Sequence, residues 1–337
     1  MKKVIISTVF LSFCLSTYPA LATSSPSPSY EHSSADSAST GRSSSSRTAS
    51  DIQTVLTQDI KRDEQEKKTI GMGFFYNAKI ILDTEKGDAT VKKFDFTDWK
   101  NKNFDADVEA GIFSFSKEIG TDLTAGIILP YRKIKVKDNV KSKLTMYSIA
   151  PFVKFRTMKK GNFYNDLSFY TFLSLNNLKA DLDQNNTKDK IDYKELGIGT
   201  YINPTYKFND LLTLDFNFGY QYSTYLVRKA DITLTADNFG LTGNKEDIKN
   251  SFKPRHLVNM GTSLTITPIP NGKVILGYAY SANVLGSQNF EEERANYYYI
   301  KAYYTFWLFK VSLGYKKTDD ANNYEEDTYM ASVSYNF

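Results

Sequence analysis

The chain has 337 residues, of which 41% are hydrophobic and 24% charged, with 42 basic and 38 acidic side chains. Such balanced charge gives no indication of a nucleic-acid partner, and a single cysteine, Cys14, excludes a disulfide framework and a cysteine metal site. The mean hydropathy of −0.42 and the lack of apolar runs of about 20 residues exclude a bundle of membrane helices. The 24 tyrosines and 23 phenylalanines favour strands instead.

The N-terminal region divides into three parts. A basic start, a short apolar stretch and the sequence Pro19-Ala20-Leu21-Ala22 predict a cleaved secretory signal peptide over 1–22. Residues 23–50 are rich in serine and contain proline, so we predict a disordered linker. In 51–68, apolar residues at helical spacing predict a short helix, which either stays in the periplasm or lies inside a barrel pore.

From 69 to 337 the hydrophobic pattern has a period of two. Leu214, Phe216, Phe218 and Tyr220 lie on one face of a long strand, whereas Asp215 and its alternate neighbours lie on the other. Long alternating runs predict an all-β fold, a transmembrane up-and-down antiparallel β-barrel of about 12 strands. The predicted strands lie near 70–83, 105–116, 121–134, 143–157, 163–178, 191–208, 211–227, 253–267, 273–285, 294–306, 308–317 and 324–337.

The C-terminal residues carry a resemblance. Tyr329 to Phe337 alternate apolar and polar residues and end on a phenylalanine. This ending resembles the C-terminal signal of Gram-negative outer-membrane β-barrels, in which Tyr335 and Phe337 would be read by the barrel-assembly machinery. The resemblance implies an outer-membrane location and contact with its lipids and lipopolysaccharide.

The polar faces of the predicted strands supply candidates for a lumen lining. They carry both signs of charge, so the sequence predicts no preference for anions or cations. The candidates are Asn77, Lys79, Glu109, Lys154, Arg156, Asp166, Glu195, Lys207, Asp215, Gln221, Lys301 and Lys310. Tyr201, Tyr225, Tyr297, Tyr299 and Tyr303 share these faces and either form a sliding surface for a solute or fill space.

Three functions remain open at this point. The first is a narrow channel or transporter for small solutes. The second is a translocator, because classical autotransporters resemble this chain in a twelve-stranded barrel, a preceding helix and a terminal phenylalanine; here only a short Ser-rich segment precedes the helix. The third is a surface protein that adheres through its loops. His256 is a lone candidate for catalysis, so we predict no enzyme, cofactor or metal.

A basic run marks one predicted rim. Arg132, Lys133 and Lys135 precede Lys141 and Lys143 around a predicted loop. Such a run is either a solvated edge or a contact for the anionic groups of lipopolysaccharide.

Overall fold

A computed structural model describes the backbone of residue 52 and of 78–95, 100–119, 122–137, 140–182, 187–231, 254–284, 294–320 and 324–336. The strands of these residues form one closed antiparallel barrel in which each strand pairs with its neighbours along the chain and β1 pairs with β12. The predicted fold class is therefore confirmed. Among the described residues, no helix has the length and apolarity needed to cross a membrane.

Twelve strands make up the barrel. They are β1 Ala78–Asp95, β2 Lys100–Ile119, β3 Leu123–Lys137, β4 Val140–Lys160, β5 Phe163–Leu182, β6 Thr187–Lys207, β7 Leu212–Asp231, β8 Arg255–Ile269, β9 Gly272–Asn283, β10 Arg294–Phe306, β11 Phe309–Asp320 and β12 Tyr324–Asn336. The connections 120–122, 161–162, 208–211, 270–271 and 307–308 lie at one end, called the short-turn end below. The opposite end, where β7 ends at Asp231 and β8 begins at Arg255, is called the loop end.

Most predicted strands agree with the structure, but the first was wrong. It was predicted at 70–83, whereas the described strand Ala78–Asp95 continues past 83 into the segment 84–104 that was expected to be a loop; residues 70–77 lie outside the described residues. Strands β4 to β7 also extend further toward the loop end than predicted and reach 20 or 21 residues. A tilted strand needs only about 9–11 residues to cross a bilayer. The polar sequence beyond that length is therefore strand that projects from the membrane rather than loop.

The outward face of the barrel is apolar and ringed by aromatic side chains. Leu313, Leu175 and Ile198 are exposed on it. Near the short-turn end are Phe155, Tyr206, Phe208, Tyr304, Phe306 and Trp307, and nearer the loop end are Tyr147, Tyr220, Tyr278, Tyr298 and Tyr329. An exposed apolar band between two aromatic girdles is the pattern of a transmembrane barrel. Part of the aromatic surplus of the sequence is thus located at two levels of the outer wall.

On the inner wall, aromatic side chains lie over glycines of the neighbouring strand. A Cβ added to Gly219 would lie 2.1 Å from the Tyr201 ring. Five glycines are directly opposed to an aromatic residue in the strand register: Gly126 to Phe152, Gly197 to Phe172, Gly199 to Tyr170, Gly219 to Tyr201 and Gly277 to Tyr299. These glycines leave the space that the rings occupy, so the rings lie against the wall.

We predict that Gly219→Val destabilises the barrel by about 1–3 kcal/mol, the usual cost of overpacking, because the new side chain overlaps the Tyr201 ring. The urea midpoint of the folded barrel in detergent micelles, read from heat-modifiable migration in gels, measures the effect. Thr224→Val, on the outward face of the same strand, is the matched control and should leave the midpoint unchanged. Equal midpoints for the two variants would contradict the role assigned to Gly219.

Candidate functional site

The interior of the barrel is the candidate site, because alternate residues of β2 to β12 are buried or partly buried there. On β5 the buried residues run Asp166, Ser168, Tyr170 and Phe172, while Phe169 between them is exposed. The same alternation assigns the even residues of β2 to β5, β11 and β12 and the odd residues of β6 to β10 to the inner face. Side chains on this face come from strands that are distant in sequence.

Eight of the predicted lumen residues lie on the inner face. Lys154, Asp166, Glu195, Asp215, Gln221 and Lys301 are buried, and Arg156 and Lys310 are partly buried. The five tyrosines predicted to point inward also follow the inner-face alternation. Tyr201, Tyr297 and Tyr303 are buried and Tyr225 and Tyr299 partly so.

The other four candidates are not among the residues that the structure places on the inner face. Glu109 was placed wrongly: it lies on the outward face with Asp105 and Asp107, half exposed, and pairs with Lys133 at 2.9 Å. In this part of β2 the apolar residues Val108 and Ala110 face inward. The usual pattern, in which apolar residues face outward, is reversed here because this part of the strand lies beyond the apolar band.

Three candidates lie at or beyond the edge of the described interior. Lys207 ends β6 at the short-turn end, where its exposed Nζ is 2.8 Å from Asp210 Oδ1. This hydrogen bond lowers the pKa of Asp210 below its usual value. The backbone of Lys79 pairs with Ser116, but its side chain lies outside the described residues, as does Asn77 entirely.

Four buried charges on the inner face were missed by the sequence reasoning: Arg132, Arg255, Lys316 and Glu326. Arg132 of β3 donates through Nη1 to both carboxylate oxygens of Glu326 on β12, at 2.9 and 3.1 Å. Since β1 and β2 separate these two strands in the barrel, the pair bridges part of the interior. Apolar residues occur on both faces of β3, so alternation could not identify Arg132 as inward.

A mixed-charge cluster lies at the short-turn end. Arg156 Nε donates to Asp166 Oδ1 at 3.0 Å across β4 and β5. Thr205 Oγ1 donates to Asp215 Oδ1 at 2.8 Å, between β6 and β7. On the same inner wall, Lys310 Nζ lies 4.5 Å from the centre of the Tyr303 ring. Charges of both signs therefore surround this end of the lumen.

Aromatic rings occupy the middle of the inner wall on β5 and β6. The rings of Tyr170 and Tyr201 are nearly parallel, with their centres 5.7 Å apart, and Phe172 stacks on the other side at 6.4 Å. Tyr170 Oη donates to Gln221 Oε1 at 2.7 Å. Tyr201, Gln221 and Glu195 are 0% exposed, so these three side chains of the wall are shielded from water.

One residue from outside the strands lies in this layer. Ile52, in helical conformation, is 0% exposed and belongs to one buried cluster with Ile112, Ile128, Ala150, Phe152, Tyr170, Phe172 and Tyr201. Every other member of the cluster lies on the inner face of β2 to β6. Ile52 is therefore inside the barrel; the rest of the predicted helix 51–68, the linker 23–50 and the signal peptide 1–22 lie outside the described residues.

The interior is divided into two chemically different walls. All three clusters of buried apolar side chains, apart from Ile52, come from β2 to β7. We call the seven strand residues that cluster with Ile52 the apolar wall; elsewhere the inner face of β2 to β6 carries Arg132, Lys154, Asp166 and Glu195. On β8 to β11 the inner face carries Arg255, Lys301, Lys310 and Lys316 among serines, threonines and asparagines, and we call it the basic wall.

His256 lies on the outward face of β8, away from these walls. Its Nδ1 is 2.6 Å from the Tyr220 hydroxyl, and its ring centre is 5.0 Å from that of Tyr222. Among the described residues, no group of three or more His, Cys, Asp or Glu side chains is arranged to hold a metal ion.

Comparison with known proteins identifies the fold. No family model matches the sequence, and no characterised relative matches it either. The structure is similar to the translocator domain of the autotransporter NalP from Neisseria meningitidis, with a TM-score of 0.61 at 10% identity, covering 91% of this chain and 100% of that one. This chain has the fold of an outer-membrane β-barrel.

Two further barrels show the breadth of this similarity. The transport unit of the autotransporter AIDA-I from Escherichia coli has a TM-score of 0.54 at 10% identity, covering 86% of this chain and 98% of that one. An outer-membrane channel from Pseudomonas putida F1 has a TM-score of 0.51 at 12% identity, covering 80% and 100%. Outer-membrane barrels with translocator and channel functions thus share the architecture, and the fold alone does not choose between them.

We predict that Arg132→Met destabilises the barrel by about 3 kcal/mol, because it removes the cation that faces the buried Glu326 carboxylate. The double variant Arg132→Met with Glu326→Met should regain most of this loss, since no charge is then left without its partner. Lys133→Met, one residue along the same strand but outward, is the control and should change little. Urea unfolding of the three variants in one detergent provides the comparison.

Proposed function

We propose that this protein is an outer-membrane channel for small solutes whose lumen is closed in the conformation described here. The observation that carries the proposal is Ile52, which lies in helical conformation on the apolar wall at the level of the stacked tyrosines. Full burial of an isoleucine side chain stabilises its position by about 1.5–3 kcal/mol. The segment containing Ile52 is then the plug, and its departure opens the lumen.

The remaining lining supports this function. Polar and charged side chains line the short-turn end and much of the basic wall, as a wet pathway requires. Among the described side chains, those buried or partly buried on the inner face include the cations Arg132, Lys154, Arg156, Arg255, Lys273, Lys301, Lys310 and Lys316, against the anions Glu118, Asp166, Glu195, Asp215 and Glu326. This excess of cations among the described side chains favours the passage of anions. The sequence alone gave no sign of a preference.

A translocator is the second candidate, favoured by the same Ile52 and by the similarity to autotransporter barrels. A translocator places the chain N-terminal to the pore segment on the cell surface, whereas a plugged channel keeps it in the periplasm. The variant Ser37→Cys, labelled in intact cells with a membrane-impermeant maleimide, separates the two. Labelling supports the translocator; protection in intact cells with labelling after lysis supports the channel.

For the channel we predict that Ile52→Glu raises the open probability in planar bilayers about tenfold or more, because a carboxylate on the apolar wall lacks hydrogen-bond partners. Deletion of 23–68 should open the lumen permanently. Ile52→Val retains an apolar contact and is the matched control, with conductance like that of the parent protein. A barrel without 23–68 that passes neither current nor solute would refute the channel.

We further predict that Lys301→Glu with Lys316→Glu shifts the selectivity of the opened barrel from anions toward cations, because both changes reverse charges on the basic wall. The reversal potential in a KCl gradient, measured on the variant without 23–68, reports the ratio of anion to cation permeability. Lys133→Glu with Lys135→Glu reverses two outward charges on β3 and should leave the reversal potential unchanged.

A further inference from the structure

The outward face of the barrel carries a row of lysines near the loop end. In the strand register Lys135 pairs with Lys143, Lys143 with Lys179, and Lys179 with Lys190. We call these residues of β3 to β6 the lysine row. Directly opposed residues project to the same face with their Cβ atoms about 5 Å apart. Lys135, Lys143 and Lys179 are exposed and Lys190 is partly exposed.

Like charges in direct opposition destabilise a sheet, and the acidic residues nearby offset only part of this repulsion. Asp192 lies 2.7 Å from Lys190 and accepts a hydrogen bond from Asn177. Glu109 pairs with Lys133, next to the row. The register also places Asp107 opposite Lys135. Asp192 also attracts Lys179, whereas these acids lie away from Lys143, so the repulsion is strongest around Lys143, between Lys135 and Lys179.

The height of the row relative to the membrane indicates what could neutralise it. Lys143 lies four residues beyond Tyr147, an exposed residue of the aromatic girdle nearer the loop end. Four residues of strand cover about 13 Å, so the row lies just outside the hydrocarbon. Anionic headgroups of the surrounding lipid occupy this level. In the orientation with short turns in the periplasm, that lipid belongs to the outer leaflet.

We propose that the lysine row binds the phosphate groups of a phosphorylated glycolipid, the lipopolysaccharide of the outer leaflet. Four strands place the lysines over about 14 Å at a spacing of about 4.8 Å per strand, long enough to contact more than one phosphate. Phosphate oxygens between the ammonium groups replace repulsion by attraction. This site is on the outer wall, so it is independent of the plug and the lumen.

The test is the double variant Lys143→Ser with Lys179→Ser. In a zwitterionic detergent without glycolipid it should unfold at a higher temperature than the parent, because it lacks the central repulsion. Addition of purified diphosphorylated lipid A should raise the unfolding temperature of the parent and leave that of the variant nearly unchanged. Apparent affinity for lipid A should fall at least tenfold.

Control measurements identify the ligand and the site. Lys159→Ser with Lys160→Ser removes the same charge from exposed lysines at the short-turn end and should bind lipid A like the parent. Inorganic phosphate and phosphatidylglycerol micelles should stabilise the parent far less than lipid A does. Equal affinity of lipid A for the parent and the Lys143 and Lys179 double variant would overturn the proposal, as would equal stabilisation by inorganic phosphate.

Discussion

Closure of the strands into a ring is the constraint on which the rest of the molecule depends. In hydrocarbon each unpaired backbone group costs several kcal/mol, so an open sheet edge is not tolerated. The pairing of β1 with β12 removes the two edges that a meander would otherwise leave. Closure then forces alternate side chains into a common interior, and this is why charges from distant parts of the sequence, such as Arg132 and Glu326, meet there.

The period-two pattern predicted much of this architecture. Where a strand crosses the apolar band, as in Leu214 to Tyr220, the environments of its two faces differ sharply and alternation identifies them. Nearly all of β6 to β12 was located in this way, and most inward residues on these strands were assigned correctly. The short turns were also located from the sequence. Glycine and asparagine favour the left-handed conformation that tight turns require, and Gly161 and Asn271 adopt it.

The same pattern failed where the environment changes. Toward the loop end of β2, water replaces lipid outside while apolar side chains fill the interior, so Glu109 faces outward and Val108 inward. The first strand was predicted too short toward the loop end for a related reason, since its polar residues beyond the apolar band resemble a loop. Arg132 was missed because both faces of β3 are apolar. The contact of Ile52 with the apolar wall depends on tertiary packing, which local periodicity does not contain.

The glycines of the inner wall have a consequence for the bore of the lumen. Rings that pack over Gly197, Gly199 and Gly219 fill the space that a side chain would take on the neighbouring strand, and this packing disfavours their rotation toward the barrel axis. The width of the passage is then a property of the backbone cylinder rather than of rotamers. Once the plug has left, such a pore has a fixed calibre, and its ionic current would show little of the flicker that mobile side chains cause.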